Sequence, residues 1–154
     1  MRPEMHMLSA VGLGAVVWHQ TGVVSWTLAI ASGAFLLDLD HMVDYLVHKK
    51  GRQISIQEFL MPGQPSTWQR MVFFMHGYEW IVGLGWLAWN YHLPILSWMV
   101  CGAGIHLLMD EVGNRLPGNR HRISPFFYFF CFRLNKGFQT KKISCWVNEE
   151  GQKV

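Results

Sequence analysis

Charge is scarce in this sequence. Only 15% of its 154 residues are Asp, Glu, Lys or Arg, against about 25% in a soluble domain, so the chain is short of the groups that solvate an ordinary surface. Between Gly22 and Leu37 there is no charged residue at all. The three cysteines, Cys101, Cys131 and Cys145, form no CxxC pair, which argues against a zinc knuckle or a redox dithiol. There is no Gly-rich phosphate loop and no nucleophile elbow, which speaks against nucleotide-driven and serine-hydrolase chemistry. The net charge of +3 suits loops facing anionic lipid and does not indicate a nucleic-acid partner.

What the chain has instead is apolar length. Hydrophobic residues make up 51% of it, with eight tryptophans, in runs approaching the roughly 20 helical residues that cross a hydrocarbon core. Four spans are predicted: about Pro3 to Trp18, Val23 to Val47, Met71 to Tyr91 and Pro94 to Val112. "HQTG" (19–22) and "HLP" (92–94) serve as the turns between paired spans. The first segment has the look of a signal peptide, with "AIA" at 29–31 as a cleavage-like site, but the apolar run continues to Leu37 and predicts a retained helix. Glycines inside the spans suit close helix packing in a membrane.

Lys and Arg are distributed asymmetrically. Arg2 precedes the first span, Lys49, Lys50, Arg52 and Arg70 lie between the second and third, and the other eight, Arg115 to Lys153, follow the fourth. With four spans all thirteen fall on one side, which the positive-inside rule makes cytoplasmic. The expectation is therefore an all-α, integral membrane four-helix bundle in a bacterial inner membrane, with both termini cytoplasmic. A four-helix metal-site domain is expected over residues 1–114, and a basic, aromatic tail, partly interfacial, over 115–154. "SPFFYFFCFRL" (124–134) is too short to span and is expected in the interface.

The ionisable residues of the spans gather at the same end. They are His6; Asp38, Asp40, His41 and Asp44; His76 and Glu79; and His106, Asp110 and Glu111. On regular helices Asp38 shares a face with His41, Asp40 with Asp44, His76 with Glu79, and His106 with Asp110. Pairs at these spacings on facing helices are how bundle metal sites are built. Asp38 and Asp40 point in nearly opposite directions on a regular helix, so either the helix unwinds there or one of the two stands behind the ligands. A carboxylate deep in a membrane helix costs about 2.5–3.5 kcal/mol, and the spans hold no Lys or Arg to neutralise it, so a divalent cation is expected. His6, Asp38, Asp40, His41, His76, His106 and Asp110 are the candidate ligands. Histidine with carboxylate suits zinc first, or manganese or iron, and the set is large enough for two ions. Glu79 is the candidate catalytic base, with a ligand or supporting role as the alternatives. Asp44 and Glu111 read as solvated or capping residues. Arg115, Arg120 and Arg122 suit a phosphate group, or act only as positive-inside determinants.

An early His, then "LDLDHMVDYL", "HGYEW" and "HLLMDEVGN", resembles the YdjM-like family of inner-membrane proteins described as metal-dependent hydrolases. The family's Asp-x-Asp-His falls on Asp38 to His41 and its final His-x-x-x-Asp on His106 and Asp110, with His6 and His76 completing the order. This chain has Leu37 where many members have proline. It has "MHGYEW" where many carry His-Arg-x-x-x-His, closer to a branch with His-x-x-Glu. The resemblance implies a metal-dependent hydrolase of the inner membrane. Independently of it, the site's depth at the cytoplasmic end of the spans favours a lipid-borne substrate, and the nearby arginines a phosphoester. The residues by themselves leave a second class open, an accessory subunit of a larger membrane complex with a structural metal, haem or pigment.

Overall fold

The computed structural model describes residues 3–49, 70–115, 121–124 and 126–146. Apart from two three-residue strands the fold is all-α. Helix α1 (Pro3–Thr21) and helix α2 (Val24–Leu36) form one antiparallel hairpin, closed at Gly22, whose φ of +65° favours glycine. Helix α4 (Tyr78–Asn90) and helix α5 (Pro94–Arg115) form the second, with proline opening α5. The 21-residue stretch Pro94–Asn114 is long and apolar enough to cross a membrane, and among the described residues it is the one helix that qualifies.

Glycines bring the hairpins together. A Cβ at Gly33 would run into the Met99 carbonyl, and one at Gly102 into the Ile30 carbonyl, so α2 and α5 touch backbone to backbone. Toward the end of α2, His106 of α5 lies against Ala34 and Asp38, so the C-terminal parts of both helices meet at the same end of the bundle. Gly102→Leu should force them apart and lower stability by about 1–3 kcal/mol or more, as overpacking does. Gly83, with open space where a Cβ would go, should instead tolerate alanine with a small gain. Thermal melts of the two variants in detergent check the contrast.

The second span departs from the continuous helix expected over Val23–Val47. The chain turns at Leu37–Asp38, where the Asp38 N–H bonds the Phe35 carbonyl (3.1 Å) and the Asp40 N–H bonds the Leu37 carbonyl (3.3 Å). Helix α3 (Leu39–Lys49) then follows as a separate helix. The third span is also shorter than expected, because residues 71–77 are not helical and Phe73 takes a φ of +39°. Asp44 holds this loop, accepting the N–H groups of Val72 (2.7 Å) and Phe73 (2.9 Å), a long-range contact in place of the solvated or capping role expected.

Beyond α5 come strand β1 (His121–Ile123), helix α6 (Phe130–Asn135), helix α7 (Thr140–Ile143) and strand β2 (Ser144–Trp146). The strands pair antiparallel, His121 opposite Trp146. This segment folds back on the bundle. Phe127, Tyr128 and Ile143 share a buried cluster with Leu37, Tyr45, Met71, Phe73, Ala103 and Leu107. The boundary expected at 114/115 therefore does not mark the edge of the core. The "FFYFFCF" run splits in the same way, with Phe127 and Tyr128 buried and Phe126 and Phe129 exposed.

Candidate metal centre

The turn after α2, the 71–77 loop, the start of α1 and the last turns of α5 meet at one end of the bundle. His6, Asp40, His76, His106 and Asp110 are all buried there. Asp38 and His41 flank them with side chains about one-quarter exposed (24% and 29%), forming the open side of the cluster.

Backbone geometry sets the imidazoles. The turn at Leu37–Asp38 sends the Asp38 N–H to Phe35, which leaves the Ala34 carbonyl to accept from His106 Nδ1 at 2.6 Å. A carbonyl can only accept, so Nδ1 carries the proton and Nε2 presents its lone pair. His76 is set similarly. Its Nδ1 lies 3.0 Å from Asp40 Oδ2, which also accepts the Met75 N–H at 2.9 Å. Both Nε2 atoms are buried and without a hydrogen-bond partner.

What these nitrogens face is carboxylate. His106 Nε2 lies 3.5 Å from both Asp38 Oδ1 and Asp110 Oδ2, and His76 Nε2 lies 3.6 Å from Asp110 Oδ2. His6 Nε2 lies 3.1 Å from Asp110 Oδ1, its ring stacked on His106 at 4.2 Å. Separations of 3.5–3.6 Å are too long for good hydrogen bonds, but they suit ligands sharing an ion. Two donors each ~2.1 Å from a tetrahedral zinc lie about 3.4 Å apart. Three sets of donors lie within 4.8 Å of one another: His6, His106 and Asp110; Asp38, His76 and His106; Asp40, His41 and His76. His76 and His106 each belong to two sets. These groups can hold a metal ion.

Of the two readings of the Asp-x-Asp pair, the helix break is seen, and the two aspartates face different imidazoles. Asp38 faces His106, and Asp40 stands behind His76 and orients its ring. Carboxylate–histidine pairs of this kind support a metal from behind. Asp40→Asn should weaken divalent-metal affinity about 10–100-fold with the helical content kept, as competition with a chromogenic chelator and circular dichroism would show.

Glu79 is placed elsewhere. Helix α4 begins at Tyr78, so His76 and Glu79 do not share a helical face. Both Glu79 oxygens accept backbone N–H groups at the start of α6, from Phe130 (2.9 Å) and Cys131 (3.0 Å). That engagement is a structural reason to move the base role away from it. Glu111 accepts the Tyr78 hydroxyl at 2.5 Å. Arg115 ends α5 and Arg122 lies in β1, but their side chains, like the whole of Arg120, fall outside the described residues.

Sequence reasoning missed Arg133. Its fully buried guanidinium donates to the carbonyls of Phe73 (2.8 Å), His76 (2.8 Å) and Phe127 (2.6 Å), and lies over the Phe127 ring at 5.2 Å. Burial pulls it below its usual pKa, while Asp40 and Glu79 act in the opposite direction. With Glu79 holding the start of α6, Arg133 ties that helix to the loop carrying His76. The one available signal was a lone cation inside an aromatic run.

Comparison with protein-family models, with curated proteins and with solved structures finds no match to this chain.

Proposed function

We propose that the protein is a membrane-embedded metal-dependent hydrolase working at the cytoplasmic face, in the manner of the YdjM-like family its motifs resemble. The observation that carries this is the pair of unpartnered Nε2 atoms, His76 and His106, turned toward Asp110 and Asp38 at 3.5–3.6 Å. The donor set suits zinc, with manganese or iron as alternatives. The number of candidate ligands leaves room for a second ion, but His76 and His106, with one free Nε2 each, would serve one ion apiece. A bound divalent ion would lower the pKa of a water toward ~7 and polarise a scissile ester.

The protein's own groups supply the rest. Asp38, one-quarter exposed at the open side, is the carboxylate placed to take a proton from water, in the role first read into Glu79. Asp40 and the Ala34 carbonyl hold the two imidazoles in the tautomer that leaves Nε2 free for a ligand. Wide apolar exposure along the helices, including Trp89 at 81%, Val82 at 71% and Val11 at 70%, supports a lipid environment. Four spans with cytoplasmic termini remain the reading of the one-sided Lys and Arg, with Pro94–Asn114 the one helix among the described residues long and apolar enough by itself.

Of the second reading, an accessory subunit of a larger membrane complex, the structural-metal form fits the same donors, and the haem or pigment form fits this end of the bundle less well. Imidazoles that face carboxylates at 3.5–3.6 Å leave no room for a macrocycle. The test is elemental analysis of protein purified without chelator, followed by assay against ester and phosphoester lipids. One or two divalent ions per chain and chelator-sensitive turnover are expected. Protein without stoichiometric metal would overturn the reading.

A further inference from the structure

An apolar groove of about 200 Å³ opens between α2, α4 and α5, and the metal chemistry does not use it. Its three walls stop at the cluster. On the α2 side it ends at Leu37, next to Asp38. On the loop it ends at Met75, next to His76. On α5 it runs from Leu96 to Ala103, three residues short of His106. At 1.5 Å per residue, Leu96 to Ala103 is about 10 Å of helix leading away from the ligands. Gly33 and Ala103 keep the floor low, and half-exposed Phe74 (50%) and Trp80 (40%) frame the outer side.

We propose that this groove holds one alkyl chain of a membrane lipid whose ester or phosphoester group lies at the His/Asp cluster. The inference rests on the hydrolase reading and gives its substrate class. An amphiphile is the occupant because the groove itself is apolar throughout, while the residues adjoining its Leu37, Met75 and Ala103 end are polar. A buried donor set lies beside Leu37, Met75 and Ala103, and purely apolar walls lead away from it toward the middle of the helices. One chain is the measure because the volume is below the roughly 300–1,000 Å³ of pockets that take whole drug-sized ligands. The apolar lining contributes affinity without orientation, and orientation comes from the cluster.

The experiment uses the full chain in phosphatidylcholine nanodiscs with a dodecyl phosphate carrying a diazirine at the tail end. Photolabelling is mapped by peptide mass spectrometry, and metal content is measured on the same samples. Label is expected on groove residues of α4 and α5, displaced by unlabelled dodecyl phosphate and not by inorganic phosphate. Leu84→Trp and, independently, Leu96→Trp fill the groove from different helices. Each should cut labelling about tenfold, the loss expected from displacing about two methylenes from apolar contact. Label spread evenly over the lipid-facing helices, or unchanged in both Trp variants, overturns the groove. Metal content is read separately, so metal-replete protein with scattered label would sink the groove alone, and metal-free protein would sink the hydrolase reading.

Discussion

Replacing His106 with alanine is expected to cut divalent-metal affinity by more than about 100-fold, beyond the range seen for residues that only support a ligand. His106 Nε2 faces two carboxylates, and His106 belongs to two of the three donor sets. Its loss therefore removes a ligand from whichever of the two sets holds the ion. His106 also sits on the glycine-packed contact between α2 and α5, so the variant should be judged first for assembly. If the centre is catalytic, the bundle should persist by size-exclusion chromatography while metal and turnover are lost. If the centre is structural, His106→Ala, His76→Ala and His41→Ala should all lose the assembly. Elemental analysis showing unchanged metal in His106→Ala would remove this histidine from the centre.

The second large effect belongs to Arg133. Arg133→Met should leave the buried carbonyls of His76 and Phe127 without this donor, while that of Phe73 keeps the His76 N–H at 3.0 Å. Unsatisfied buried acceptors cost about 1–3 kcal/mol each, so a loss on the order of 2–4 kcal/mol is expected, even with partial relaxation. That is a large share of a typical total of about 5–15 kcal/mol. The melting temperature should fall by about 5 °C or more. Arg133→Lys should recover little, because a compact ammonium does not reproduce a planar fork reaching three carbonyls. A melt within about 2 °C of the parent would show that the loop is held by other contacts.

The two variants test what was readable in the sequence and what was not. The convergence of His6, Asp38 to His41, His76 and His106 with Asp110 was legible because it needs only helix direction. Alternating spans and one-sided Lys and Arg place those groups at one end whatever the local detail. The break at Leu37–Asp38 was visible only as a choice, since two aspartates at i and i+2 cannot face the same way on a regular helix. The interactions stabilising the break come from elsewhere in the chain, from His106 on α5 and from Asp40 gripping the loop. Residues 71–77 read as helix because their apolar content matches a span, yet Asp44 and Arg133 hold their backbone groups in a loop. Arg133 itself had no legible role, because a run of aromatics carries no period that separates buried Phe127 and Tyr128 from exposed Phe126 and Phe129.

The turn at Leu37–Asp38 frees a helix carbonyl for a side chain from another helix. In an unbroken helix the Asp38 N–H would bond the Ala34 carbonyl; here it bonds Phe35, and His106 Nδ1 donates to Ala34. Leucine is a good helix former, so residue 37 does not itself impose the break, as proline would. A carbonyl has two lone pairs, so an unbroken helix could still accept His106 there, and the break alone does not decide the tautomer. By linkage, an ion that binds the cluster more tightly with the helix broken also favours the break.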